Sequence, residues 1–333
     1  MMQRLSKVID PFIVFLLGTV LLASLLPASG GVATALGYVK DVAIALLFFL
    51  HGAKLSREAV IAGIGHWRLH LLVLAATFVL FPLLGLGTRF LAGPWVDPSI
   101  LAGVVFLCLL PSTVQSSIAF TAMAGGNVPA AICSATLSNL LGIIITPLLV
   151  HAVLTASADT GLGGAGAAVR SIALQLLLPF VVGHLCRPLL AGFLARHKQI
   201  VGLVDRGSIL LVVYAAFSAA VVGGIWQKLT GVDLIAVLVL DAAILAIVVL
   251  STVLSGRLLG FSREDRIAIV FCGSKKSLVT GVPMAGVLFP AATVGAIILP
   301  LMLFHQMQLI LCAVLARRFA AESERLTLKG SDA

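Results

Sequence analysis

The chain has 333 residues, 60% of them hydrophobic and only 11% charged, with a formal net charge of +9 and a mean hydropathy of +1.17. Soluble domains carry about 25% charged residues, so this composition excludes a water-soluble fold and, with it, the nucleic-acid partner that the positive charge alone would suggest. Apolar runs recur along the whole length and are about 20 residues long, not the about 10 alternating residues of a barrel strand, which predicts an all-α polytopic membrane protein.

Ten transmembrane helices are predicted, at about 11–28, 32–52, 69–92, 98–125, 128–154, 168–190, 205–225, 232–258, 265–289 and 292–316. The first run has the basic start, apolar core and trailing small residues of a signal peptide as well as of a first span; the topology requires the span. With the N-terminus in the cytoplasm, sixteen of the 22 Lys and Arg residues fall in inside segments: Arg4 and Lys7; Lys54, Arg57 and Arg68; Arg187, Arg196, Lys198 and Arg206; Arg257, Arg263 and Arg266; Arg317, Arg318, Arg325 and Lys329. Outside segments hold Arg89, Arg170 and Lys228. This asymmetry follows the positive-inside rule and places both termini in the cytoplasm. A polar cytoplasmic tail, residues 317–333, is expected to fray.

The fourth and ninth spans are interrupted, and they resemble each other. Shifted by 161 residues, "PSTVQSSIAFTAMAGGNVPAA" (Pro111–Ala131) lies on "CGSKKSLVTGVPMAGVLFPAA" (Cys272–Ala292). Ser116 falls on Ser277, the triplet Met123–Gly125 on Met284–Gly286, and Pro129–Ala131 on Pro290–Ala292. Five spans per half is odd, so the second copy enters the membrane from the opposite side. A 5+5 inverted-topology repeat is predicted, with residues 1–160 as the first copy, 161–316 as the second, and substrate and ion sites at the discontinuous helices 4 and 9.

The break in helix 4 is followed by Ser112, Thr113, Gln115, Ser116 and Ser117, a run of neutral oxygen and amide groups beside freed carbonyls. In helix 9, Gly273 and Ser274 precede Lys275, Lys276 and Ser277. An unpaired ammonium at mid-bilayer costs about 2.5–3.5 kcal/mol on insertion scales, so two adjacent lysines there mark a site. Adjacent helical residues point about 100° apart, which allows one to face a cavity and the other a partner. Asp241, alone in the apolar eighth span, is a possible charge partner for either lysine; a structural role bonded to backbone or water is equally open. Lys40 and Asp41 are expected at the interface. Asn139, His305 and Gln308, on the spans that follow the breaks, are possible supporting groups, although interhelical hydrogen bonding explains any one of them. The remaining histidines, His70 among them, fall near interfaces, and the five cysteines are small apolar residues rather than disulfides. No P-loop, dinucleotide fingerprint, catalytic triad or metal-ligand spacing occurs. No enzyme activity, cofactor or metal is predicted.

The passages "LPSTVQSSIAFT", "GGNVPAAICSATLSNLLG", "TPLL" and "CGSKKSLVTGVPMA" resemble the bile acid:sodium symporter family, solute carrier family 10, and within it the branch of animal member 7 and the YfeH-like bacterial proteins. The resemblance covers the whole chain. It implies a panel domain and a core domain, helices 4 and 9 crossing in the core, and residence in a bacterial inner membrane. The departures bear on mechanism. The sodium-coupled members resemble P-G-G-x-x-S-N in the first crossing region, where Pro111–Ser117 keeps only the proline and, at Ser116, the serine. In the second they resemble E-x-G-x-Q-N; aligned on Gly273, the glutamate position holds Phe271, the glutamine Lys275 and the asparagine Lys276. An ammonium repels a neighbouring sodium ion by several kcal/mol at low dielectric.

These readings predict a secondary-active or facilitative transporter of a small organic anion, working by alternating access without the usual sodium sites. A tethered ammonium in place of sodium gives a uniporter; a lysine that releases and rebinds its proton gives proton coupling; both remain open. The alternative is a regulatory membrane protein that affects ion homeostasis without transport of its own.

Overall fold

The computed structural model describes residues 11–54, 66–155, 173–228 and 230–331. The predicted features at Arg4, Lys7, Arg57 and Arg170, and the expected start of the sixth span near residue 168, lie outside the described residues.

Among the described residues all regular structure is helical. In chain order the helices are α1 (Pro11–Leu25), α2 (Gly30–Lys54), α3 (Trp67–Ala92), α4 (Pro98–Leu109), α5 (Gln115–Met123), α6 (Val128–Val150), α7 (Leu178–Arg196), α8 (Lys198–Val222), α9 (Gly231–Leu258), α10 (Arg263–Gly273), α11 (Leu278–Leu288) and α12 (Ala291–Ser331). Among the described residues, eight helical runs are long and apolar enough to cross a membrane, and Val14–Leu25 and Pro98–Leu109 are shorter apolar helices. The chain is thus a multi-span integral membrane protein. Within the described residues each predicted run overlaps a helix or, for the fourth and ninth, a pair of helices separated by a break.

Polar side chains start the helices where the backbone would otherwise leave its amides bare. The Asp97 carboxylate accepts from the Ser99 amide (2.9 Å) and Pro98 supplies the first helical residue of α4. Asn127 caps α6 through the Ala130 amide (3.0 Å), Ser262 caps α10 through the Asp265 amide (3.1 Å), and Thr230 and Asp233 form a capping box on α9. Such caps hold about 1 kcal/mol each.

Two groups of helices result. Helices α1, α2, α7 and α8 pack on one another; α3–α6 and α9–α12 form the rest, and α8 meets that second group along α11 and α12. The α2–α7 seam depends on glycine. A Cβ at Gly52 would stand 2.0 Å from the Phe180 carbonyl oxygen, and one at Gly183 2.0 Å from that of Phe49. The two backbones approach as closely as small-residue packing in membranes permits.

One end of the molecule is tied together by polar contacts. Arg68 donates to the Leu259 carbonyl (3.3 Å), Asn127 to Asp265 (2.7 Å), Lys54 to Asp205, and Arg263 to the Phe319 carbonyl. At the other end Arg89 donates to the Val153 carbonyl (2.8 Å), and Lys40 pairs with Asp41 at 3.2 Å. Helix α12 continues past Arg317 through Ser331, in a stretch rich in strong helix formers such as Ala, Glu and Arg. His70, in the first turn of α3, is buried, its Nδ1 2.6 Å from Ser134 Oγ.

Candidate functional site

The two breaks, residues 110–114 and 274–277, abut in the middle of the second helix group. The Ser277 amide donates to the Pro111 carbonyl at 2.9 Å. The span built from α10 and α11 is the most enclosed of the candidates, with 94% of its apolar window buried. An interrupted helix in such a place must satisfy every freed backbone group from within the protein, and the partners can be followed one by one.

At the end of α4, Pro111 has no amide to return to the helix, and the Ser112 amide is diverted to Ser138 Oγ (3.0 Å). The Leu109 carbonyl takes Thr146 Oγ1 (2.8 Å), and the Ser112 carbonyl takes the Asn139 amide nitrogen. The carbonyls of Cys108 and Leu110 are left, and both accept from Lys276 Nζ, at 2.8 and 2.6 Å. The third acceptor is the Thr77 carbonyl, at 2.9 Å. Its availability follows from Pro82. Helix α3 runs through a π turn at Ala76–Leu80, in which the Phe81 amide bonds the Ala76 carbonyl instead of that of Thr77. The next residue, Pro82, has no N–H to offer, so the Thr77 oxygen stays free. The Lys276 ammonium therefore has all three donors engaged by carbonyls from two separate helix irregularities, and it lies 4.0 Å from the centre of the Phe81 ring. It is fully buried.

At the end of α10 the Phe271 carbonyl accepts from Ser117 Oγ (2.8 Å) and the Cys272 carbonyl from Ser112 Oγ (2.5 Å). Ser274 Oγ turns back to the Val270 carbonyl (2.6 Å). Gln308 clamps Lys276 by its backbone, accepting from its amide (2.9 Å) and donating to its carbonyl (3.0 Å), and Gln308 also meets His305 Nδ1 at 2.8 Å. Ser277 caps α11 through the Thr280 amide (3.2 Å), and the Thr280 hydroxyl donates to Asn139 Oδ1 (2.8 Å). Asn139 thus joins the two breaks.

The sequence-predicted residues separate by contact. Ser112, Ser117, Ser274, Lys276, Ser277, Asn139, His305 and Gln308 all make hydrogen bonds at or beside the two breaks, and Gly273 closes α10 with Thr252 close beside it. A second set is buried without hydrogen-bond partners: Thr113 Oγ1, Ser116 Oγ, Lys275 Nζ and both carboxylate oxygens of Asp241. The Lys275 ammonium lies over aromatic faces, 4.1 Å from the centre of Phe120 and 5.8 Å from that of Phe271. The expected pairing of Asp241 with a lysine is not formed. Asp241 and Lys276 both lie within electrostatic reach of the Cys108 thiol, but the donors of Lys276 are already taken by carbonyls. Thr77, Pro82, Thr146 and Thr280 escaped the sequence reading; the signal for the first two was a proline inside an apolar span.

Gln115 faces elsewhere. It is exposed, in a cleft of about 380 Å³ whose walls include Lys54, Arg187, Lys198 and Asp205 from α2, α7 and α8. A second cavity of about 160 Å³ lies between α2, α8 and the second group at the other end, lined by Lys40, Ser218, Gly286 and small apolar residues.

A model of the SBF-like CPA transporter family matches residues 10–321. An uncharacterized protein of Pseudomonas aeruginosa is 55% identical over 319 residues, 96% of this chain and 95% of that one. YfeH of Escherichia coli strain K12, provisionally named a symporter, is 53% identical over 324 residues, 97% of each chain. Sodium/bile acid cotransporter 7 of Danio rerio is 31% identical over 278 residues, 82% of each. The chain belongs to the SBF-like CPA transporter family and is a membrane transporter, not an enzyme.

Proposed function

We propose that this protein carries a small organic anion across the plasma membrane of a bacterium by alternating access, with the Lys276 ammonium fixed where relatives named for sodium would hold their ion. The observation that carries the proposal is the set of three backbone carbonyls around Lys276 Nζ at 2.6–2.9 Å. Converging carbonyls freed by helix breaks are how membrane transporters hold a monovalent cation; here a tethered cation occupies them. The reading takes residues 1–160 and 161–316 as two copies of opposite orientation over ten spans, with both termini and the tail 317–333 in the cytoplasm. The matched breaks support it, as do the two cavities, one at each end against α8. The cleft with Lys54, Arg187 and Lys198 supplies positive charge on one approach, and Lys275, Ser116 and Thr113 supply donors not used internally.

The test is uptake into proteoliposomes of labelled carboxylates and sulfonates, with a bile-acid anion among them because of the relatives' name. The expected result is uptake of at least one probe that sodium does not stimulate and that Lys276→Met abolishes. Sodium-stimulated uptake that survives Lys276→Met removes the proposal. An imposed pH gradient that accelerates uptake assigns the proton as coupling ion; indifference to it assigns uniport.

A further inference from the structure

The last helix is longer than its task. Helix α12 has 41 residues, about 61 Å at 1.5 Å per residue, against a hydrocarbon core of about 30 Å. Its far part does not simply leave the protein. Phe319 packs edge-on against Phe271, with ring centres 6.1 Å apart and planes at 77°. Phe271 lies 5.9 Å from Phe120. Arg263, in the first turn of α10, donates to the Phe319 carbonyl. Phe120, Phe271 and Phe319, together with Ile267, Ala316 and Cys312, form a small apolar cluster separate from the main core. Its inner face is the pair of rings over which the Lys275 ammonium sits. Its outer face is the charged end of the molecule, where Arg263, Asp265, Arg317 and Arg318 lie.

We propose that this cluster is a gate: the end of α12, latched through Arg263, closes a route between water at that end and the buried Lys275, and its release opens that route. Lys275 is fully buried with no hydrogen-bond acceptor for its ammonium. A charged group left in that condition is costly, so the arrival of water or an anion beside it is favourable. The layer in the way is thin, three rings and a few small side chains, and one hydrogen bond and one edge-to-face contact anchor its outermost ring. The inference rests on the assignment of Lys275 to the transport site.

Cys312 reports the gate. It is fully buried behind Phe319 and lies within electrostatic reach of Lys275. Full-length protein in liposomes is treated with a membrane-impermeant methanethiosulfonate, and the modified cysteines are located by mass spectrometry. In the unaltered protein Cys312 stays unmodified. Arg263→Gln and Phe319→Ala raise its labelling rate about tenfold or more, equivalent to about 1.4 kcal/mol of lost closure, while Phe319→Leu, which keeps most of the bulk, stays closer to the unaltered protein. Cys108, fully buried in α4, stays protected throughout. Cys312 labelling unchanged in both Arg263→Gln and Phe319→Ala overturns the gate. So does labelling of Cys108 alongside Cys312, which marks general loosening. The transport assignment is read separately: if Cys312 opens as expected but anion uptake is indifferent to Lys275→Met, the gate stands and the role of Lys275 falls.

Discussion

Replacing Lys276 by methionine keeps the length of the side chain and removes the ammonium. Three carbonyl oxygens at 2.6–2.9 Å then lose their donor. Charge-assisted hydrogen bonds contribute about 1.5–3 kcal/mol each, so the three together amount to about 5–9 kcal/mol. The substitution also removes the cost of holding an ammonium out of water, which is several kcal/mol. That offsets about half, and the expected net loss is about 3–5 kcal/mol of stability. Thermal unfolding in detergent, followed by intrinsic tryptophan fluorescence, measures it. Lys276→Asn sharpens the test, because it empties the space between the carbonyls and leaves a neutral amide there. If the carbonyls form a cation site occupied by the lysine, that variant recovers stability when sodium chloride replaces choline chloride. At sodium one hundred times its dissociation constant the gain is about 2.7 kcal/mol. The unaltered protein shows no such response. Sodium stabilisation of the unaltered protein, or a Lys276→Met variant as stable as its parent, refutes the reasoning.

Pro82→Ala restores an amide that can bond the Thr77 carbonyl, so Lys276 loses one of three acceptors; anion uptake is expected to fall about tenfold or more while folding, read by gel filtration, is retained. Asn139→Leu cuts the link between the breaks at the Ser112 carbonyl and Thr280, with a loss of about 2–4 kcal/mol in thermal unfolding from two unpaired buried groups. Gly52→Val drives a side chain into the Phe180 carbonyl, and the expected result is a protein that does not accumulate in the membrane, whereas Gly37→Ala, in open space on the same helix, accumulates normally. Lys198→Gln, on the wall of the basic cleft, is expected to raise KM for the anion several-fold with kcat unchanged, and the effect shrinks as ionic strength rises.

The sequence made the helices and both breaks legible because their causes are local. Apolar runs of membrane length, and Pro111, Gly273 and the lysines inside such runs, each carry a physical cost that only a particular structure removes. Ser112, Ser117, Ser277, Asn139 and Gln308 were visible as polar residues where lipid does not tolerate them. What each one bonds was not visible, because the partners lie on other helices, several of them more than 150 residues away: the Ser112 hydroxyl finds the Cys272 carbonyl, that of Ser117 finds Phe271, and Lys276 finds Thr77. The π turn in α3 was missed for a related reason. A proline in an apolar run signals a freed carbonyl, but nothing near Pro82 in sequence says who takes it. Asp241 and Lys275 show the opposite failure. Electrostatics at the level of sequence pairs a buried acid with a buried base, yet in the fold both remain without hydrogen-bond partners.

The two adjacent lysines divide the work that one motif suggested they share. Lys276 is bonded on all three donors and reads as part of the framework: removing it takes apart the contact between α3, α4 and the second break. Lys275, one residue away and turned to the other side, holds an ammonium with no acceptor beneath a thin aromatic layer that ends at Phe319. Uptake should therefore fall together with stability at Lys276 and without it at Lys275. A loss of folding at Lys276 that takes uptake with it, beside a loss of uptake at Lys275 that leaves the melting temperature near that of the parent, is the pattern this division requires. Equal effects of the two substitutions on both measurements are incompatible with it.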